Sequence, residues 1–359
     1  SALVLCDTYD REGVAVAEAP RAILRHQVDR LHERGLTAAV ATELEFYVFS
    51  DSYKEAASGG YSGLTPLYHR HGDHDVLVTG FLDRFLAPVR QAMAQMSIPA
   101  LSTLGEGGVG QAEVNFGHGD PLTTADHHVL FKHTTKALAE QHGVAATFMA
   151  KIDEANPGSG CHLHLSLWDA GSSAPVTATG TDSIQLSERA RSFLAGVLAY
   201  SGDLTVLHAP YANSYRRLQP GSWAPTGATW GYDNRTVLAR VLGSGISLRL
   251  EFRLPGADVN PYISIAALLA AGIAGLDERA NLTTPSLGDA SAALDPTSGV
   301  AALPHDLGQA AQVFASSPLA RKAFGSQVHS HLAARAQAEW AAATRPVTDW
   351  DRRHGFEGA

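Results

Sequence analysis

The sequence predicts an α+β fold in which a curved, largely antiparallel sheet carries helices on its outer face. Four segments alternate between apolar and polar side chains, which is typical of half-buried strands. Other segments repeat apolar residues every three or four positions, as amphipathic helices do. The polar faces of the strands carry carboxylates, imidazoles and guanidiniums, so we expect the sheet to present a functional concave side.

Five helices are predicted from this periodicity and from start and stop signals. The first begins at Pro20, places Leu24, Val28 and Leu31 on one stripe, and ends at Gly35. The other four are expected over residues 120–143, 187–200, 261–279 and 326–343.

The predicted strands are ATELEFYVF (41–49), QAEVNF (111–116), GCHLHLSLW (160–168) and ISLRLEFRL (246–254). The fourth strand is expected to start at Ile246, which falls on its apolar face. Because antiparallel sheets often face water on one side, four half-exposed strands with ordinary polar faces are the alternative interpretation.

Composition limits the class of protein. The chain has 359 residues, of which 45% are hydrophobic, and this is enough for a substantial core. A formal net charge of -9 argues against a nucleic-acid binder, and two cysteines are too few for a disulfide framework. Neither a signal peptide nor a membrane span is indicated, so a cytoplasmic location is expected. Residues 281–304 are expected to form an irregular connection within a single domain.

The first strand carries a pair of carboxylates. Glu43 and Glu45 lie about 6 to 7 Å apart on one face of a strand, where like charges repel. A hard divalent ion such as Mg²⁺ or Mn²⁺ would compensate them, and His162 could add a nitrogen ligand. An exposed strand edge is the alternative, since a Glu-x-Glu pattern alone is a weak signal.

A glycine-rich segment precedes the second strand. Residues 105–110 match the dinucleotide pattern Gly-x-Gly-x-x-Gly, but they run into a strand and not into a helix, which excludes that function. We expect instead a loop that lets the backbone approach a ligand between Glu106 and Glu113.

The histidine-rich segments are not expected to bind metal. HGDHD at 71–75 is expected to be a solvated loop, because no periodicity fixes a ligand geometry there. His127, His128 and His133 fall on a predicted helix, where an exposed or charged role is expected.

Four arginines form the remaining cationic group: Arg217, Arg235, Arg240 and Arg253. Guanidinium groups beside metal-binding carboxylates suit a polyphosphate substrate, since both kinds of cation stabilise phosphate charge. Surface ion pairs are the alternative for any one of them.

Seven motifs together resemble the catalytic domain of the glutamine synthetase family, in the order found in that family. They are ELEF (43–46), GQAE (110–113), ATFMAK (146–151), GSGCHLH (158–164), NSYRRLQPG (213–221), NR (234–235) and RLEFRLPGADVNPY (249–262). The resemblance covers nearly the whole chain and implies the fold described above. Residues 1–359 would then be the catalytic domain, without the small N-terminal β-grasp domain of the family.

The resemblance also implies two divalent ions, Mg²⁺ or Mn²⁺, with ATP as co-substrate. One ion would be held by Glu45, Glu106 and Glu113, and the other by Glu43, His162 and Glu251. Gly158 and Arg217 would hold the α-groups of L-glutamate, and Arg253 would meet its side-chain carboxylate. The residues facing the ATP phosphates would be His164, Ser166, Arg235 and Arg240, with Arg235 and Arg253 in the catalytic set.

The implied chemistry has two steps. The γ-carboxylate of glutamate attacks the γ-phosphorus of ATP, and an amine then displaces phosphate from the resulting γ-glutamyl phosphate.

The chain departs from the family pattern at several positions. Trp223 stands where ammonia-using relatives carry a flap glutamate, and an indole can form an apolar wall but cannot deprotonate ammonium. Packing of the flap is the alternative role for this tryptophan. Pro157 replaces an asparagine contact to glutamate, and Ala301 and Ala302 replace the tyrosine of adenylylated relatives.

We therefore expect a ligase that joins glutamate to an organic amine such as a polyamine, ethanolamine or another monoamine. The alternatives are glutamine synthetase itself, using ammonia, and a family member with a structural or regulatory role. The expected partners are L-glutamate, ATP and an amine, without nucleic acid or membrane, in a homo-oligomer of stacked rings.

Overall fold

The structure is a computed structural model that describes residues 3–292, 294 and 297–358. The helices are α1 Pro20–His32, α2 Tyr53–Ser58, α3 Val76–Gln95, α4 Pro121–Gln141, α5 Glu188–His208, α6 Ser214–Arg217, α7 Pro261–Glu278, α8 Leu307–Ser316, α9 Pro318–Thr344 and α10 Asp349–Gly355. The strands are β1 Leu36–Phe49, β2 Ala100–Gly105, β3 Gln111–Phe116, β4 Ala145–Thr147, β5 Cys161–Asp169, β6 Trp230–Tyr232, β7 Ala239–Leu242 and β8 Arg249–Phe252.

All eight of these strands belong to one sheet with the order β2-β3-β1-β5-β8-β7-β6, and β4 pairs with the end of β1. The pairings are antiparallel except between β6 and β7. The predicted class, a largely antiparallel sheet combined with helices, is therefore confirmed.

The apolar face of the sheet packs on helices. Leu44 and Phe46 on β1 and Leu163 on β5 are completely buried, because alternate residues of a strand point to the same face. Helix α7 is buried along most of its length and packs against α5, α1 and α4. It is long and apolar enough to cross a membrane by length and composition, but 83% of that window is buried inside the fold, as in a core helix.

Helices α5 and α7 approach closely through glycines. A Cβ atom added to Gly196 would lie 2.3 Å from the carbonyl oxygen of Ala271 and 2.5 Å from the nitrogen of Gly275. A Cβ atom added to Gly275 would lie 2.1 Å from the carbonyl oxygen of Ser192 and 2.6 Å from the nitrogen of Gly196. Only residues without a side chain allow the two backbones to pack at this distance.

The five predicted helices are present with shifted ends. The helix expected to end at 200 continues to His208, and the one expected at 326 begins at Pro318. Gly325 has a φ of 76° and kinks that last helix just before the predicted start. Helix α3 was not predicted; it follows the HGDHD loop, and Asp75 caps it by accepting from the backbone of Leu77 and Val78.

Two expectations about side-chain exposure are wrong. The fourth strand begins at Arg249, because Gly243 and Gly245 adopt positive φ and the segment Gly245–Ser247 forms a 3-10 turn. Ile246 is consequently 66% exposed instead of lying on the apolar face. His128 is buried, not exposed, because its side of α4 packs inside the fold.

The connection over 281–304 agrees with expectation where the structure describes it. The described residues of this range form no helix or named strand, and Ala302 makes an isolated bridge to Gly227.

Candidate active site

The register of the sheet brings the predicted polar residues onto one face. Glu43 lies opposite His162 on β5, and Glu45 lies opposite Glu113 on β3. On the other side of β5, His164 lies opposite Glu251, and Glu251 lies opposite Arg240. Directly paired residues point to the same face of a sheet. Residues distant in sequence therefore form one polar surface across five strands, β3, β1, β5, β8 and β7.

Glu43, His162 and Glu251 form a compact group whose ligand atoms lie within 4.8 Å of one another. The Nδ1 atom of His162 is 3.5 Å from Glu43 Oε1 and 3.6 Å from Glu251 Oε1. This nitrogen is buried and has no hydrogen-bond partner among the described residues. Two carboxylates and an unpartnered imidazole nitrogen fit a divalent cation such as Mn²⁺.

Electrostatics keep the carboxylates of this group ionised. Burial opposes ionisation of Glu43, but the imidazoles of His162 and His164 outweigh it and hold the pKa of Glu43 well below its ordinary value. Burial likewise opposes ionisation of Glu251, and the charges of His162 and Arg253 lower its pKa overall. Both groups are thus in the form that binds a cation.

The three other predicted carboxylate ligands, Glu45, Glu106 and Glu113, do not converge as Glu43, His162 and Glu251 do. Glu45 Oε2 accepts from the backbone nitrogen of Gly160 at 2.8 Å, and Glu113 Oε1 accepts from Asn115 Nδ2 at 2.7 Å. Together with Glu106 they do not form a second group as compact as the first in the described part of the chain. The assignment of an ion to these three residues stays a prediction.

Glu106 and Glu113 are nevertheless electrostatically linked to the same surface. Burial raises the pKa of both carboxyls, and the negative charges of Glu43 and Glu45 raise it further. Like charges held together in a poorly solvated place favour protonation or a bound cation. The donor set is therefore chemically suited to a second divalent ion.

Arg217 lies beside the loop that carries Gly158. It is buried, and its guanidinium donates to the carbonyl oxygens of Leu254 at 2.9 Å and Arg253 at 3.1 Å. A Cβ atom at Gly158 would lie 2.6 Å from Cγ of Arg217, so a larger residue would displace this side chain. The two residues predicted to hold glutamate are thus in direct contact.

Glu251 connects two of the other arginines. Arg240 Nη1 donates to Glu251 Oε2 at 3.0 Å, and Arg253 donates to Glu251 Oε1. Arg240 also donates to Asp233. Arg235 is exposed, so the structure does not gather it with the other three.

A cavity of about 600 Å³ adjoins this surface, and its lining includes Glu43, His164, Ser166, Trp168 and Arg249. His164 Nε2 is 2.8 Å from Glu43 Oε2, and His164 Nδ1 accepts from Arg249 Nε at 3.2 Å. Ser166 accepts from the indole nitrogen of Trp168 at 2.9 Å.

The sequence reasoning did not single out Trp168 or Arg249. The alternation places Trp168 on the polar face of its predicted strand beside His164 and Ser166, and Arg249 precedes Glu251 by two on the same face. The strand pattern therefore located both residues, but the family resemblance, which gave His164 and Ser166 their roles, assigned none to these two.

Trp223 lies in the segment that follows α6 and is 61% exposed. Its φ of 60° is in the left-handed region, which is uncommon for a bulky residue. In this chain the indole is therefore not part of the core. Pro157, another departure from the family pattern, contributes a carbonyl oxygen that accepts from the hydroxyl of Tyr47 at 2.8 Å.

The HGDHD segment forms a loop as expected. His71 Nδ1 contacts the carbonyl oxygen of Gly107 at 2.8 Å, and Asp73 and His74 are exposed. The described residues of this segment form no compact metal-binding group.

The comparisons with known proteins identify the family. A family model described as glutamine synthetase, catalytic domain, matches residues 17–354. The polar-faced sheet and this match together define a ligase catalytic domain. The chain belongs to the glutamine synthetase family, so the family expected from the sequence is confirmed, as is a glutamate–amine ligase.

Several relatives cover the chain almost completely. It is 43% identical over 358 residues to gamma-glutamylethanolamide synthetase GlnA4 of Streptomyces coelicolor, covering 99% of this chain and 75% of that protein. It is 33% identical to glutamate–isopropylamine ligase of a Pseudomonas species, covering 98% and 76%. It is 34% identical to glutamine synthetase of Halobacterium salinarum, covering 98% and 77%. A solved structure described as apo GmaS without ligand has a TM-score of 0.85 and 29% identity, covering 96% and 78%.

Proposed function

We propose that this chain joins the γ-carboxylate of L-glutamate to an organic amine in an ATP-dependent reaction. The observation that carries the proposed chemistry is the convergence of Glu43, His162 and Glu251 beside Arg240 and Arg253. Carboxylate and ATP repel each other until cations neutralise them, and this group supplies cations and metal ligands together.

Each substrate has a place in this proposal. Arg217 and the backbone at Gly158 hold the α-groups of glutamate, and Arg253 orients its side-chain carboxylate. ATP occupies the cavity of about 600 Å³, where Trp168 offers an aromatic face for the base. His164, Ser166, Arg235 and Arg240 face the phosphates.

The carboxylates divide between two divalent ions, Mg²⁺ or Mn²⁺. Glu43, His162 and Glu251 hold one, and Glu45, Glu106 and Glu113 hold the other. When bound, such ions neutralise phosphate charge. The arginines orient the γ-carboxylate toward the γ-phosphorus, ADP leaves, and an amine then displaces phosphate from the γ-glutamyl phosphate.

Trp223 supports an organic acceptor over ammonia. An exposed indole cannot remove a proton from ammonium, but it offers an apolar and cation-binding surface to an alkylamine. Relatives named for ethanolamide and isopropylamine products point the same way. We also propose a homo-oligomer of stacked rings, which light scattering of the purified protein would test.

An acceptor screen tests the function. The protein is supplied with glutamate, ATP and Mg²⁺ or Mn²⁺ together with ammonia, ethanolamine, isopropylamine or a polyamine, and phosphate release and product mass are measured. We expect turnover to be highest with one of the organic amines. Highest turnover with ammonia would support the second candidate, glutamine synthetase, which the Halobacterium relative represents. No phosphate release with any acceptor would refute both and favour a non-catalytic role.

A further inference from the structure

Lys132 on α4 reaches into the fold and contacts the segment that follows β8. Its Nζ atom donates to the carbonyl oxygen of Ala257 at 2.6 Å and lies 5.2 Å above the ring of Phe148. A lysine in a mostly buried setting loses hydration, and the hydrogen bond to Ala257, the Phe148 ring and the charge of Asp258 offset part of that loss. The segment around Ala257 is thereby tied to a helix on the opposite side of the sheet from the polar surface.

Ala257 is joined to the loop that carries Gly158. The backbone nitrogen of Ala257 donates to the carbonyl oxygen of Ser159 at 3.0 Å, and Gly256 forms an isolated bridge with Gly160. Ser159 in turn donates to the carbonyl oxygen of Ala150 at 2.9 Å. Any shift of Ala257 would move the loop proposed to bind glutamate.

Asp258, the next residue, is joined to the helix that carries Arg217. Its Oδ2 atom accepts from Ser214 Oγ at 2.6 Å, and Ser214 begins α6, which ends at Arg217. Burial raises the pKa of Asp258. Its Oδ1 atom has no hydrogen-bond partner in the described part of the chain, and the hydrogen bond from Ser214 and the charges of Lys132 and Arg217 favour its ionised form.

We propose that Lys132 is a positioning residue for glutamate binding, acting through Ala257 and Asp258 on Gly158 and Arg217. This inference rests on the proposed function, since it assigns a role to a residue that does not touch the proposed substrates. Lys132 binds the segment 257–258. This segment is hydrogen-bonded both to the loop that carries Gly158 and to the helix that carries Arg217.

The chain offers a matched control. Lys136 lies one turn further along α4 and sits 5.9 Å above the same Phe148 ring, but it is exposed. Lys132→Met keeps an unbranched side chain that is one atom shorter and removes the ammonium donor, whereas Lys136→Met makes the same chemical change at a residue with no hydrogen bond to the segment after β8 among the described contacts.

Two measurements test the role. In steady-state kinetics, Lys132→Met should raise the KM for glutamate about tenfold and leave the KM for ATP unchanged, and Lys132→Arg should restore most of the affinity. Lys136→Met should match the wild type. Equal effects on both substrates, or equal effects of the two methionine variants, would overturn the positioning role.

Amide hydrogen exchange tests the same role without turnover. Lys132→Met should increase exchange at residues 158–161 and 256–259, while Lys136→Met should not. Unchanged exchange in these segments would refute the link even if activity falls. Failure of the proposed function is distinguishable, because it appears in the wild-type acceptor screen, whereas the exchange difference depends only on the contacts of Lys132.

Discussion

Arg253, the residue that follows β8, donates a hydrogen bond to the carboxylate of Glu251 on that strand. Arg240 donates to the other oxygen of the same carboxylate from β7. Glu251 is therefore neutralised from two sides, while the Nδ1 atom of His162 beside it has no such partner. This nitrogen is buried without a hydrogen-bond partner among the described residues, so it is available as a ligand for a divalent ion.

The first prediction concerns this nitrogen. His162→Ala should weaken Mn²⁺ binding at least about tenfold, roughly 1.4 kcal/mol. The substitution removes the nitrogen ligand and leaves only the carboxylates of Glu43 and Glu251. Titration calorimetry on the purified protein measures the affinity. His133→Ala is the control, since His133 is an exposed histidine on α4. Equal Mn²⁺ affinities in wild type and His162→Ala would remove His162 from the metal site.

The second prediction concerns the acceptor. Trp223→Glu should lower the ratio of kcat/KM for organic amines to kcat/KM for ammonia by about tenfold, because it replaces an apolar wall with a carboxylate that favours ammonium. Competition assays with both acceptors, followed by mass analysis of the products, measure the ratio.

The control for Trp223 is another exposed tryptophan. Trp350 on α10 is 67% exposed, and Trp350→Ala should leave the ratio of acceptors unchanged. If Trp223→Glu behaves like Trp350→Ala, the indole has no part in acceptor choice.

The sheet and the nature of its polar face could be predicted from the sequence because strand alternation is a local signal. The period of two placed Glu43 and Glu45 on the polar face of one predicted strand. It placed His162 and His164 on the polar face of another. Which strands are neighbours is a non-local property, so alternation alone could not group Glu43, His162 and Glu251. The family resemblance implied that group, and the register of the sheet brings the three residues together.

Other features depended on tertiary context. Helix α3 follows a loop rich in glycine and histidine, and its cap at Asp75 was not recognised among those residues. His128 looked polar and therefore exposed, yet its side of α4 is enclosed by the fold. Propensity and polarity describe one residue at a time, whereas burial depends on which elements pack against it.

The third prediction tests the close approach of α5 and α7. Gly196→Ala should destabilise the fold by about 2 kcal/mol, because the new methyl group would meet the backbone of Ala271 and Gly275 in a tightly packed interface. Urea denaturation followed by circular dichroism measures the free energy of unfolding.

Gly202 on the same helix provides the matched comparison. No atom lies within 4 Å of a Cβ added there among the described residues, so Gly202→Ala should stabilise the fold by about 0.5–1 kcal/mol through helix propensity. Destabilisation by both substitutions, to a similar extent, would show that the glycine contact is not the cause.

The fourth prediction concerns acid stability. Arg34, just after α1, donates through Nε and Nη2 to the two oxygens of Asp277 on α7, at 2.6 and 2.7 Å. These hydrogen bonds lower the pKa of Asp277 below 3.8. A carboxyl with a lowered folded-state pKa contributes stability above its unfolded pKa and loses that contribution as the pH falls through the folded pKa.

Asp277→Asn should therefore destabilise the fold by about 0.5–1 kcal/mol at pH 7, a value limited by partial exposure of both side chains. The difference between wild type and variant should shrink as the pH falls below about 3.8, because protonated aspartic acid and asparagine then contribute alike. Denaturant midpoints measured across this pH range provide the test. Asp29→Asn, at an exposed carboxylate on α1 without an ion pair among the described residues, is the control and should change the free energy of unfolding at pH 7 by less than about 0.5 kcal/mol. A difference at Asp277 that persists unchanged at pH 2 would mean that the ion pair with Arg34 is not its source.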